Sequence, residues 1–190
     1  QAEHGSLTCT SNPTRVGDTA PEKSLYWGDL HAGQSEIGCG AGSLDNHYAF
    51  ARDVAALQFA SQQANDHYIT RELWDHVRSV TARYNVDGKF LAYLGCEWSP
   101  YTEDGGDRNV IYMNDEPRMH RSDRFFREHG PDPEPDLRQA PEFLNEFRKK
   151  DVLLNLHVGG RPTNLDWHAP AIEPLFEVHS THATSEWFLF

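Results

Sequence analysis

Four short apolar runs, each closed by a histidine or a carboxylate, constrain this chain more than any other feature. Residues 25–30 lead through Tyr26-Trp27-Gly28-Asp29-Leu30 into His31, residues 90–96 into Glu97, residues 152–156 into His157, and residues 175–178 into His179. The run 90–96 is nearly all apolar, as expected of a parallel strand covered on both faces. Helical patterns separate the runs. Ser43 is placed to cap a helix reaching about residue 56, with Leu44, Tyr48, Ala51 and Ala55 on one face. A short strand at 57–60 follows, and Thr70 then caps a second helix. That helix carries a stripe of Leu73, Trp74, Val77, Val80 and Tyr84 and stops at Asp87-Gly88. Pro141 suits the first turn of a third, which holds Phe143, Leu144 and Phe147 and closes on Arg148-Lys149-Lys150.

Strand and helix alternate with short connections, so right-handed crossovers give an α/β domain with a parallel sheet or barrel and helices outside. Residues 1–24, rich in Ser, Thr, Pro, Gly and charge, are expected to form an N-terminal arm or linker, and residues 25–190 the barrel domain. A candidate strand at 109–113 precedes a charged excursion over 114–139, where Pro131, Pro133 and Pro135 alternate; it is expected to lie over the surface or act as a lid. A first helical turn is expected at 185–190. The chain opens on Gln1 and stops at Phe190 with too few strands for a barrel. The expectation is a domain incomplete at its carboxyl end, finished by a second chain or segment.

Charge excludes some partners. A formal net charge of −12 attracts neither nucleic acid nor an anionic membrane, yet a metal and a few arginines can reverse the field locally for an anionic substrate. Cys9, Cys39 and Cys96 are too few for a disulfide framework or a structural zinc module. One bridge between Cys9 and Cys39 in an exported protein, periplasmic or secreted, stands beside three unbridged thiols as the two readings.

In a parallel barrel all strand carboxyl ends point to one rim. His31, Asp66, Glu97, His157 and His179 each follow a candidate strand within a few residues, so they can converge there as metal ligands. Mixed imidazole and carboxylate donors suit zinc, manganese or iron, one to three ions, better than calcium or magnesium. Arg161, just past Gly159-Gly160, is placed to hold an anionic group of a substrate and neutralise charge in the transition state, and Arg108 in Gly105-Gly106-Asp107-Arg108 to bind substrate likewise. His182 is a candidate general acid. Gln34 is a candidate to orient substrate or replace a ligand. Trp98, Tyr101 and Trp167 offer stacking surfaces for sugar rings.

These segments together resemble a known group. Asp29-Leu30-His31, Gly95-Cys96-Glu97-Trp98, Asn155-Leu156-His157 and Glu177-Val178-His179 are similar to the ordered motifs of the PHP (polymerase and histidinol phosphatase) superfamily. Phe50-Ala51-Arg52-Asp53, Asn65-Asp66, Gly106-Asp107-Arg108-Asn109-Val110 and His157-Val158-Gly159-Gly160-Arg161 look like a poorly characterised bacterial branch of it. The resemblance implies a distorted (β/α)₇ barrel, a two- or three-metal centre and phosphoesterase-like hydrolysis. It also shows departures. Gly33 stands at the second histidine of a His-x-His motif, Ala64 and Asn65 at an Asp-His motif, and no terminal Asp-x-His is present. The expected function is therefore a metal-dependent hydrolase of phosphoesterase type acting on a small-molecule or carbohydrate anion. The alternatives are chemistry on sulfated or uronic-acid carbohydrate, by hydrolysis or elimination, and a non-catalytic metal-binding barrel.

Overall fold

The computed structural model describes residues 2–10, 16–31, 35–102, 105–115, 118–123, 134–157, 161–180 and 182. In the N-terminal arm, β1 (Ala2–His4) and β2 (Leu7–Cys9) form an antiparallel hairpin. The rest is mixed α/β. Six strands lie side by side in chain order: β3 (Gly28–Asp29), β4 (Phe59–Ser61), β5 (Leu91–Trp98), β6 (Asp107–Tyr112), β7 (Val152–His157) and β8 (Leu175–Glu177). The sheet curls into a half-barrel. Among the described residues no helix is long and apolar enough to cross a membrane.

The helices form where caps and apolar spacing call for them. Ser43 Oγ accepts from Asn46 N to start α1 (Leu44–Ala49), which continues as a π-helical turn over Phe50–Val54. Thr70 Oγ1 accepts from Leu73 N to start α2 (Arg71–Tyr84), and Trp74, Val77 and Val80 are buried as the stripe requires. The third helix, α3 (Ala140–Phe147), has its proline in the first turn. Phe143 stacks on Trp98 with ring centroids 4.3 Å apart and continues to Phe147 at 4.5 Å. Even-numbered residues of β5 (Ala92, Leu94, Cys96, Trp98) belong to this core, as do Val110, Tyr112 and Leu154 from β6 and β7.

One expectation about direction is corrected. The sheet is not wholly parallel: β6 runs antiparallel to both β5 and β7, while β3–β4, β4–β5 and β7–β8 are parallel pairs. The cause is the short connection after Trp98. A parallel crossover needs about a dozen residues or more, and residues 99–106 cannot supply them. The strand therefore folds straight back, and its amino end lies at the rim where the neighbouring strands have their carboxyl ends. The 114–139 excursion packs inward where it is described. Arg121 Nε donates to the Ile69 carbonyl at 2.8 Å, Leu137 N to the Arg121 carbonyl at 2.7 Å and Trp98 Nε1 to the Leu137 carbonyl at 2.8 Å. Residues 124–133 and the expected helix at 185–190 lie outside the described residues, apart from which 116–117 are also set aside.

On the other side of the sheet, below the rim, a buried polar layer takes the place of apolar packing. Gln63 Nε2 donates to Ser61 Oγ at 2.7 Å, and Ser61 Oγ donates to the Tyr93 carbonyl at 3.1 Å. Gly95 makes room for it: a Cβ there would stand 2.1 Å from Gln63 Nε2 and 2.7 Å from the Val110 carbonyl oxygen. Gly95→Ala must push Gln63 out of its hydrogen bond. The expected cost is about 1–3 kcal/mol of unfolding free energy, the usual range for overpacking, read by urea denaturation; an unchanged midpoint would show that this layer yields freely.

Candidate metal centre

Strand register brings the polar residues of the half-barrel together. Glu97 pairs with Asn109 and Asn109 with Asn155; one step nearer the rim, Asp107 pairs with His157 and His157 with Glu177. Side chains two apart on a strand share a face, so Glu97, Asn109, Asp107, Asn155, His157 and Glu177 all rise from one side of the sheet. His31, just past β3, completes the group from the far edge. Its ring meets that of His157 edge-on, with centroids 4.8 Å apart.

His157 is the centre of this arrangement. It is only 2 % exposed, with Nδ1 3.1 Å from Glu97 Oε1 and Nε2 3.7 Å from Glu177 Oε1. Nε2 has no hydrogen-bond partner among the described residues. His31 Nδ1 lies 2.7 Å from Glu177 Oε2, and that same oxygen accepts from Asn109 Nδ2 at 3.3 Å and Asn155 Nδ2 at 3.4 Å. Glu97 Oε2 accepts from Asn65 Nδ2 at 2.7 Å. Asp107 is held by Arg161 Nη1, whose guanidinium carbon also sits 4.9 Å from the centre of the Tyr101 ring.

Among the described residues, two sets of three donors could hold a metal ion: His31, His157 and Glu177, and Glu97, Asp107 and His157. The donors fit. Zinc bonds of about 2.0–2.2 Å in a tetrahedron place ligand atoms roughly 3.3–3.6 Å from one another, and the separations of 2.7 and 3.7 Å around Glu177 bracket that spacing. All of these residues line one cleft of about 950 Å³, together with Cys39, Asn65, Tyr68, Tyr101, Arg161, His179 and His182.

Charge at the rim is tuned by proximity. Burial pushes the Asp107 carboxyl up to about 6, aided by the Glu97 charge and opposed by Arg161. Burial works against a charge on His157, but the Glu97 hydrogen bond and the Glu177 and Asp107 charges outweigh it and raise its pKa. Burial likewise would raise Glu177, yet the His31 hydrogen bond and the two imidazoles hold it below the usual carboxylate range.

The expected site residues divide accordingly. His31, Glu97 and His157 meet in the groups above. His179 and His182 line the same cleft from exposed positions, the His182 ring centroid 6.4 Å from that of His157. Asp66 does not join them. Its carboxylate is fully buried and accepts from Ser99 N at 3.1 Å, from Ser122 N, and from Ser122 Oγ at 3.1 Å, so it ties the 118–123 segment to β5. Its neighbour Asn65 reaches the rim instead. Arg108 is corrected too: it is fully buried, its Nε 2.6 Å from Glu173 Oε1 and its Nη1 donating to the Gly105 carbonyl, a structural ion pair rather than a substrate contact. Trp98 is core and Trp167 packs against it, leaving Tyr101 as the cleft's ring from that set. Gln34 lies outside the described residues. Cys39 is not in a disulfide, which sets aside a bridge to Cys9, and its Sγ donates to Asn65 Oδ1 at 3.2 Å.

Glu177 and Asp107 stand in the two candidate donor sets without having been singled out by the sequence pattern. Glu177 stands two places before His179, in the run that the histidine closes. Asp107 starts an antiparallel strand, so a search confined to carboxyl ends passes over it.

Comparison with known proteins agrees on family alone. A family model described as a protein of unknown function, DUF3604, matches residues 40–153, and the chain belongs to that family. No curated protein and no solved structure matches the chain.

Two outcomes are expected. Asp66→Asn places an amide where three donors need an acceptor; it should lower stability by about 2–4 kcal/mol and leave metal content unchanged, measured by denaturation and elemental analysis. The second concerns pH. His157 and Asp107 have folded pKa values above their unfolded values of 6.5 and 3.8, so their contribution is present at low pH and is lost as pH rises through the folded values. Glu177 has the opposite sign, and its contribution is lost as pH falls below about 4.5. The chelator-treated protein should melt higher at pH 5.5 than at pH 8, and added zinc should stabilise it more at pH 8, because binding displaces those protons. A metal-free melting temperature that rises across that interval contradicts the assignment.

Proposed function

We propose that this chain is a metal-dependent hydrolase of phosphoesterase type, acting on a small anionic ester in the rim cleft. The observation that carries the reading is the His157 Nε2 atom: buried, without a hydrogen-bond partner among the described residues, and next to Glu177 Oε1. A buried imidazole nitrogen left unpaired is costly, and a metal ion removes that cost. The resemblance to the PHP superfamily supports the same reading and implies a distorted (β/α)₇ barrel as the fold to which the half-barrel would correspond.

A divalent ion bound here supplies a water whose pKa is lowered toward neutrality. His31, His157 and Glu177 would hold it. Asn109 and Asn155 keep Glu177 aimed by donating to Oε2, and Glu97 sets the His157 ring through Nδ1. Arg161, one-quarter exposed in the cleft, is the cation placed to meet the anionic ester and the charge that grows on it. His182, exposed at the cleft, is placed to protonate the leaving oxygen. Trp98 is buried and Trp167 packed on the core, which leaves Tyr68 and Tyr101 as aromatic lining of the cleft.

Zinc- or manganese-loaded protein should hydrolyse p-nitrophenyl phosphate, and chelation should abolish turnover. His157→Ala and Glu177→Gln should each lower kcat/KM by about 10²-fold or more, given that even outer-shell partners of metal ligands are worth 10–100-fold. Protein that keeps its ion but turns over neither phosphate nor sulfate esters is a non-catalytic metal binder, and the hydrolase reading then fails.

A further inference from the structure

The two donor sets share His157, so a second ion beside Glu97 and Asp107 would have to bind without it. We propose that the rim holds one ion, at His31, His157 and Glu177, and that the Arg161 guanidinium, paired with Asp107, serves as the second cation. This rests on the metal reading above but goes beyond it, since it sets the stoichiometry and gives Arg161 a defined place.

A neutral imidazole has one N–H and one lone pair. His157 Nδ1, 3.1 Å from Glu97 Oε1, is placed to donate there, which leaves the lone pair on Nε2, beside Glu177. That lone pair serves one ion. Beside His31 Nε2, 3.9 Å from Glu97 Oε2, the other set then keeps Glu97 and Asp107. Both already have partners: Glu97 Oε2 accepts from Asn65 Nδ2 at 2.7 Å, and Asp107 Oδ1 accepts from Arg161 Nη1. Arg161 stays charged at any pH the fold survives, and it is seated against Tyr101 at 4.9 Å. A dication entering beside Asp107 would meet this fixed positive charge at close range. The guanidinium instead does for Asp107 what an ion would do, while it still lines the cleft.

The test is metal content of the whole chain, measured by elemental analysis after equilibrium dialysis against excess zinc. The wild type should carry one equivalent, Arg161→Lys one, and Arg161→Met two. Manganese-loaded wild type, which needs no substitution to fold, should give the six-line electron paramagnetic resonance spectrum of an isolated ion. Two equivalents in the wild type, an exchange-coupled manganese spectrum, or one equivalent in folded Arg161→Met each overturns the proposal. Zero equivalents in the wild type removes the metal reading itself, and this proposal with it; one or two equivalents without esterase activity removes only the hydrolase chemistry.

Discussion

The placement of His157 between two carboxylates governs the functional end of this molecule. A buried imidazole with Glu97 on one nitrogen and Glu177 near the other has its tautomer and ring plane set by the protein. The rest of the rim follows from that contact. Asn109 and Asn155 hold Glu177, Asn65 holds Glu97, and Arg161 balances Asp107, the next charge along. Charges packed this closely tolerate burial only when each has a partner. His157 Nε2 and Asn109 Oδ1 are rim atoms without a hydrogen-bond partner among the described residues.

This cluster exists because β6 reverses direction. Had residues 99–106 been long enough for a crossover helix, Asp107 and Arg108 would have come at the far end of a parallel strand. The short return instead sets Asp107 opposite His157 and Asn109 opposite Asn155. The same reversal explains Arg108, which alternates to the opposite face from Asp107. There it meets buried Glu173 and the Trp98 ring, and becomes part of the packing.

Much of this was legible in the chain. Ser43 and Thr70 announced two helices through their side-chain caps, and the stripe of Trp74, Val77 and Val80 told which face of the second is buried. His31, Glu97 and His157 stood out because several apolar runs close on ligand-type residues, a coincidence that no one of them would carry alone. What local pattern did not carry was strand direction and partner choice. Asp66 and Asn65 are adjacent and equally polar, and only the 118–123 segment, which supplies Ser122, shows that Asp66 is claimed internally. Arg108 and Arg161 both stand just past a pair of glycines, yet alternation along β6 buries Arg108 while Arg161 lines the cleft. Glu177 was hidden by its own neighbour, since His179 ends the same run.

The central claim is that His31, His157 and Glu177 bind a single ion at the rim. A crystal of the zinc-loaded chain, with data collected on both sides of the zinc absorption edge, tests it most directly. The account predicts one anomalous peak in the cleft, about 2.0–2.2 Å from a nitrogen of His31, Nε2 of His157 and a carboxylate oxygen of Glu177, with Arg161 still on Asp107. A peak bound by Glu97 and Asp107 with Arg161 displaced, or no peak in the cleft at saturating zinc, would contradict it.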